Sequence, residues 1–327
     1  MFKVIITLTF IFSIVFNSYC QLKEFTPGEK WYDTEGNIIN AHGNGIIYEK
    51  GRYYWVGEKR DKHKSLGINI YSSKDLYNWK FEKMALQPDY SDTLSDIAFG
   101  GIMERPKIIF NKKYKKYVMW FHLELRNQGY HAARAGVAVS DKLTGPYTYL
   151  HSFRPNGNMS RDMTLYVDDD QKAYLIYSSR DNYDLRIVQL TEDYLLPTKK
   201  DSLLFSKHRE APAIFKKQNT YYLITSACTG WSPNKAMLHT ATNLFGPWKH
   251  HETSIMKGEN AEKTFNAQST FVLPVKGKKD AFIFMANRWN PKELIDSRYI
   301  WLPVKFTDNN LPIIEWKEKW NLKIFNE

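Results

Sequence analysis

One pattern recurs five times along the chain and limits its fold more than any single residue does: a short apolar run, a polar turn, then an aromatic-rich apolar run. It joins Gly45-Ile46-Ile47-Tyr48 to Tyr53-Tyr54-Trp55-Val56, Lys107-Ile108-Ile109-Phe110 to Tyr117-Val118-Met119-Trp120, and Thr164-Leu165-Tyr166-Val167 to Tyr174-Leu175-Ile176-Tyr177. It returns as Ala213-Ile214-Phe215 to Tyr221-Tyr222-Leu223-Ile224, and as Thr270-Phe271-Val272-Leu273 to Ala281-Phe282-Ile283-Phe284. Short runs rich in β-branched and aromatic residues, separated by turn formers, predict β-hairpins. Three hairpins lead into a third apolar run and then an edge segment with its own signature: Asp75-Leu76-Tyr77-Asn78-Trp79, Leu143-Thr144-Gly145-Pro146-Tyr147 and Leu244-Phe245-Gly246-Pro247-Trp248.

A unit of three or four strands repeating every ~50–60 residues is a propeller blade. The expected fold is therefore all-β, a five-bladed β-propeller forming a single domain over residues 23–327. No Ser/Gly/Pro linker or long charge run interrupts the series, and helix signals are sparse. A two-sheet sandwich is the alternative architecture, but it does not account for five recurrences of one unit.

In a propeller the first strand of each blade lines the central channel, so side chains at its start face the space where ligands bind. Here the five strands start beside His42, Glu104-Arg105, Asp162, Glu210 and Gln268. Sugar hydrolysis needs such a convergence, because one acid must protonate the leaving oxygen while another group handles water. The arginines next to Glu104 and Glu210 would hold carboxylates ionised, whereas a like-charged neighbour raises a pKa. Ordinary salt bridges explain any one of these positions; they explain five in the same phase less well.

Residues 1–20 have the make-up of a signal peptide. Lys3 precedes an apolar run, Val4 to Phe16, that is too short to cross a membrane as a helix. Export is expected, to the periplasm, the cell surface or the medium, with cleavage after Cys20. The alternative is lipidation of Cys20, which would tether the protein to a membrane. Only Cys228 remains besides Cys20, so no internal disulfide supports the fold and the core must do so.

The formal net charge of +11 raises the question of an acidic polymer as partner. The lysines cluster at turns such as Lys112-Lys113-Tyr114-Lys115-Lys116 and Lys276-Gly277-Lys278-Lys279, where a solvated surface accounts for them, and nucleic acid is not expected as a partner. The 10 Trp and 21 Tyr suit sugar rings, although β-rich cores also use many aromatics. Trp231, on a loop after Thr229-Gly230, is a candidate sugar platform, and Trp289 is a similar case. Trp79 and Trp248 recur at equivalent edge positions, which points to packing between blades. His42, His122, His131 and His208 are scattered without the spacing of a zinc site, so no catalytic metal is expected. Asp168-Asp169-Asp170 falls on a predicted hairpin turn, where acidic residues are common.

Several of these motifs together resemble glycoside hydrolase family 43, and within it the exo-β-1,3-galactanase branch. They are Ala41-His42-Gly43 leading into Tyr53-Tyr54-Trp55-Val56-Gly57-Glu58, Glu104-Arg105-Pro106-Lys107, Glu210-Ala211-Pro212, Thr229-Gly230-Trp231-Ser232-Pro233-Asn234 and Gln268-Ser269-Thr270. The resemblance covers nearly all of the chain beyond the leader and implies an inverting enzyme on a five-bladed propeller. It implies Glu210 as general acid, Asp162 as the residue that orients it and tunes its pKa, and Glu104 as a ligand for a sugar hydroxyl. Glu58, Arg105, Tyr130, Gly230, Trp231 and His42 would be further substrate contacts.

The departure from the family at large is in the first blade, where an Asp usually serves as base and this chain has Asn40-Ala41-His42-Gly43. The galactanase branch shares that absence. Its proposed base, a glutamine acting through its imidic tautomer, matches Gln268; the chemistry of the residues alone would nominate Glu104 acting through water, because a neutral amide is a very weak base.

The resemblance implies no required cofactor and leaves room for a structural calcium near the axis beside His42. The expected activity is exo-hydrolysis of β-1,3-galactan such as the arabinogalactan backbone, by a monomer acting on a polysaccharide or oligosaccharide. An α-L-arabinofuranosidase or galactofuranosidase is the alternative within the family. A non-catalytic glycan-binding propeller is the alternative from another class, argued by the missing Asp and opposed by the retained Glu210, Asp162 and Gln268.

Overall fold

The computed structural model describes residues 21–326 except His63, so the expected leader and Cys20 lie outside the described residues. Five sheets, antiparallel apart from one short strand in the fifth, surround a central channel, and each sheet is one of the expected repeats. Blade one runs outward from the axis through His42–Glu49, Arg52–Arg60, Ser65–Ser73 and Lys80–Leu86. The innermost strands of the other blades are Ile102–Asn111, Met163–Val167, Arg209–Lys217 and Gln268–Pro274. Local chemistry sets the hairpins. Between the first two strands of blade one, Lys50 and Gly51 both take positive φ, 47° and 82°, as a two-residue turn matched to the twist of its strands requires.

The three edge signatures form the turns before the outermost strands. In each, the aromatic residue donates back to the carbonyl of the leucine that begins the turn: Trp79 Nε1 to Leu76 O at 2.9 Å, Tyr147 Oη to Leu143 O at 3.0 Å and Trp248 Nε1 to Leu244 O at 3.2 Å. The rings are buried. Such a ring covers apolar surface with its body while its polar tip closes the turn, which explains the recurrence of the motif.

The core lies between blades, because each sheet packs its two faces against its neighbours. Four apolar clusters occupy these seams, and the largest joins blades four, five and one around Trp55, Trp79 and Trp301. The Trp55 ring lies 4.6 Å from Trp301 and 5.2 Å from Trp79, centroid to centroid. Each such ring, removed wholly from water, contributes roughly 4–6 kcal/mol of gross transfer free energy. That seam also closes the ring. Phe25 pairs with Trp320, Gly28 N donates to Tyr299 O at 2.9 Å, and Met256–Lys257 adds a parallel fifth strand to Pro312–Glu315. Among the described residues the one free cysteine is Cys228, so this interlocking and the packed seams do the work of a disulfide.

Candidate active site

The expected site residues are brought together by a distortion of the inner strands. In blades one, two and four the ladder slips immediately after His42, Glu104 and Glu210. The next residues, Gly43, Arg105 and Ala211, sit in the left-handed region at φ 57°, 55° and 52°. A β-bulge of this kind re-aims the side chain beside it, and here it turns Glu104 and Glu210 into the channel. Asp162 directly precedes its strand and Gln268 begins one, so both reach the same space.

Glu104, Asp162, Glu210 and Gln268 line one cavity of about 280 Å³. Glu58, Arg105 and Tyr130 form its wall, and Gly230 and Trp231 its rim. His42 does not, which corrects the expectation that it touches substrate. It is wholly buried, with its ring stacked on Tyr299 at 5.2 Å and Asn287 Nδ2 3.3 Å from its Nδ1. The reason is that blade one offers its carboxylate from the second strand. Glu58 is the ladder partner of His42, and a Cβ on Gly43 would lie 2.5 Å from Glu58 Oε1.

Two networks hold the carboxylates. In the first, Arg105 grips Asp162 with both arms, Nε to Oδ1 at 3.0 Å and Nη2 to Oδ2 at 2.9 Å. It also donates to Ser269 O at 3.0 Å and to Gln268 Oε1. Trp289 Nε1 donates to the same Gln268 oxygen at 2.9 Å. Because an arginine and an indole can only donate, they fix the amide orientation. Gln268 Nε2 therefore faces Glu210 Oε1 at 2.8 Å and Ser226 Oγ at 3.0 Å. Asn182 Nδ2 donates to the other Glu210 oxygen at 2.8 Å.

Burial first, and then the charge of Asp162, push the Glu210 carboxyl up to about 8, against the opposing pull of Arg105 and Gln268. Glu210 thus holds its proton at neutral pH, which a general acid requires.

The second network is Glu58–Arg60–Glu104–His122–Glu124. Arg60 Nη2 bridges Glu58 and Glu104, the latter at 2.5 Å. Tyr130 Oη donates to Glu104 Oε1 at 2.8 Å, and His122 Nδ1 lies 3.2 Å from Glu104 Oε2. His122 Nε2 meets Glu124 Oε1 at 2.7 Å. Burial alone would raise the Glu104 carboxyl, but Arg60, His122 and Tyr130 outweigh it and hold Glu104 below the usual carboxylate range. Burial would lower His122, yet its two carboxylates lift it to about 9, so it is an imidazolium. Glu58 goes the other way, raised by burial and by the Glu104 charge against the pull of Arg60.

Sequence reasoning missed Arg60, His122 and Asn182 as parts of the site. Strand periodicity was the available signal for two of them, since Glu58 and Arg60, and likewise His122 and Glu124, are two apart and share a face. Asn182 had none. It lies in a turn whose residues Arg180, Asp181 and Asn182 all take positive φ, and it reaches Glu210 across blades.

Among the described residues one cluster has ligand atoms close enough for a metal ion: Glu104, His122 and Asp162, within 4.8 Å of one another. It does not fit a cation. Glu104 already carries Arg60, Asp162 carries Arg105, and His122 is held between Glu104 and Glu124. Asp168 and Asp169 pair with Lys216 of the next blade, at 3.1 and 2.8 Å. A larger cavity, about 670 Å³, lies beside the N-terminal segment around Trp31 and Asp33. There one Asp33 oxygen accepts the amides of Glu35 and Asn37, and Glu24 pairs with Lys319 at 3.2 Å.

The glycosyl hydrolases family 43 model matches residues 40–311, from the start of blade one to the edge of blade five. The chain belongs to this family. No curated protein matches it. A family 43 β-1,3-galactosidase solved with galactodeoxynojirimycin is 48% identical, with a TM-score of 0.88 over 91% of this chain and 100% of the other. An exo-β-1,3-galactanase from Phanerochaete chrysosporium, solved with β-1,3-galactotriose, is 37% identical, with a TM-score of 0.84 over 91% of this chain and 68% of the other. One from Clostridium thermocellum is 35% identical, with a TM-score of 0.82 over 90% and 66%. Family 43 membership makes the chain a glycoside hydrolase, and the paired carboxylates in a partly enclosed cavity are the equipment for that chemistry.

The raised Glu210 pKa sets the expected basic limb of the pH profile. With Glu210 in the role of general acid, the protonated form is the active one, and kcat/KM is expected to fall about tenfold per unit as pH rises beyond about 8. A profile still flat at pH 9.5 would remove Glu210 from the acid role.

Proposed function

We propose that the protein is an exo-acting, inverting hydrolase that releases galactose from the non-reducing ends of β-1,3-galactan, including arabinogalactan backbones. The observation that carries the reading is Glu210, a carboxylic acid lifted to about 8 in a cavity where arginines pair with Glu104 and Asp162. Galactose and the β-1,3 linkage are supported by the activities of the similar structures. A furanosidase has no such support among them, and a binding module has no need of a protonated acid.

In this mechanism Glu210 protonates the leaving oxygen while water attacks the opposite face of the sugar. An inverting pair of groups stands roughly 6.5–9.5 Å apart so that water fits between. Glu210 and Gln268 are in direct contact at 2.8 Å, so substrate must part them before Gln268 can act on water. Glu104 is ionised but weakly basic while Arg60, Tyr130 and His122 surround it. Neither group is a competent base at rest, and binding of the sugar creates one, either by freeing Gln268 from Glu210 or by drawing Tyr130 away from Glu104. Asp162 keeps Glu210 protonated by its charge, and Trp231, 43% exposed beside Trp289, offers a face for the leaving part of the chain.

The protein acts outside the cytoplasm in this reading, its leader being removed or Cys20 lipidated; the mass of the mature N-terminus distinguishes the two.

The decisive experiment follows, by NMR, the anomer released from β-1,3-galactan by residues 21–327. Galactose appearing first as the α-anomer is the expected result. The β-anomer overturns inversion, and arabinose released from a decorated polymer without galactose overturns the substrate.

A further inference from the structure

The floor of the cavity depends on a residue that the chemistry above leaves unused. Lys107, on the inner strand of blade two, is 3% exposed. Its Nζ lies 2.9 Å from Gly43 O and 3.3 Å from Arg105 O, and donates to both. These two carbonyls belong to the left-handed residues of the bulges in blades one and two. A bulge leaves backbone groups without ladder partners, and Lys107 satisfies one carbonyl from each.

The neighbouring sequence makes room for it. A Cβ on Gly45 would lie 2.6 Å from Lys107 Cδ, so a glycine is required there for space. Lys107 and Gly45 also line a separate cavity of about 720 Å³ at the opposite mouth of the channel, which shares no wall residue with the site. The lysine stem is thus part of the partition between the two.

We propose that Lys107 is a positioning residue, whose amine ties together the bulges of the adjacent blades one and two and thereby sets Arg105, while its stem closes the channel beneath the sugar. Arg105 is the residue through which this matters, since it alone holds Asp162, Gln268 and the Ser269 carbonyl together. Burial and the Arg105 charge hold the Lys107 amine well below the ordinary lysine range, and it donates to both carbonyls whether charged or neutral. An apolar side chain of equal length would fill the same space without that desolvation cost, but it would leave both carbonyls unpaired.

The inference rests on the catalytic reading of Glu210 and Gln268, so its test pairs kinetics with a readout that needs no substrate. In Lys107→Met the crystal structure is expected to show the Arg105 guanidinium displaced from Asp162. With β-1,3-galactobiose, kcat is expected to fall by about 10²-fold, the size of effect that a misplacement of about 1 Å produces, with KM nearly unchanged. The basic limb of the pH profile moves upward, because Arg105 is one of the groups pulling the Glu210 pKa down. Gly45→Ala, which crowds the lysine without removing it, is expected to give the same signature and decides the matter if Lys107→Met does not fold. An unmoved Arg105, or wild-type kcat with an unmoved limb, overturns the proposal. If the wild-type enzyme proves inactive on β-1,3-galactan, the substrate assignment fails while the position of Arg105 still judges Lys107.

Discussion

Glu210→Gln is expected to reduce hydrolysis of β-1,3-galactobiose by about 10²–10⁴-fold, the contribution of a positioned general acid, while galactose binding stays within a few-fold of wild type. The fold should survive, for a reason visible in the contacts. Both Glu210 oxygens accept from amide nitrogens, Gln268 Nε2 and Asn182 Nδ2, so a glutamine at 210 presents its own NH₂ to one donor. Asn182 can resolve the conflict by rotating its amide, because its Oδ1 is buried and has no other partner. The loss should depend on the leaving group. An aryl galactoside with an acidic phenol needs little protonation, so its hydrolysis should suffer far less than that of the disaccharide. Equal losses on both substrates would mean that Glu210 positions the sugar and does not deliver a proton.

The largest expected effect on stability is that of Arg60→Met. Arg60 is 3% exposed and bridges two carboxylates that are themselves buried, so its removal leaves negative charge uncompensated in the interior. Breaking a buried pair by deleting one partner costs about 3–5 kcal/mol.

The pH dependence follows from the shifts. Wild-type Glu104, held below its unfolded pKa, contributes stability that is present above that pKa and lost as pH falls through the folded value. Without Arg60, burial raises both Glu58 and Glu104, and a raised carboxyl favours folding at low pH and loses that contribution as pH rises. Denaturant unfolding should therefore show a deficit of about 3–5 kcal/mol at pH 8 that narrows at pH 5. A deficit below about 1 kcal/mol at pH 8 would mean that water or His122 replaces the guanidinium.

These two residues also mark how far the sequence was legible. Glu210 could be found because blade position is periodic: the same phase in five repeats lands at the same height in the channel, and the bulges keep that phase. Arg60 was missed because it comes from the second strand: its spacing of two from Glu58 puts both on one face, but that face looks like any solvated one until the neighbouring blade covers it. His42 failed for the complementary reason. Its phase was right, but Glu58 opposite it in the ladder occupies the space, and phase along one strand carries no information about the strand beside it.

Sequence alone determined the five hairpins, their turn chemistry and the recurrence of Trp79, Tyr147 and Trp248 at the blade edges, because each depends on residues within one repeat; the resemblance of its motifs nominated Glu210 as the acid. Only the tertiary structure decided which charges neutralise which, the orientation of the Gln268 amide, the proton held on Glu210 and the lysine beneath the site. Those properties come from contacts between blades, such as Glu210 with Gln268 across 58 residues of chain. Their energies depend on burial, which no local pattern encodes.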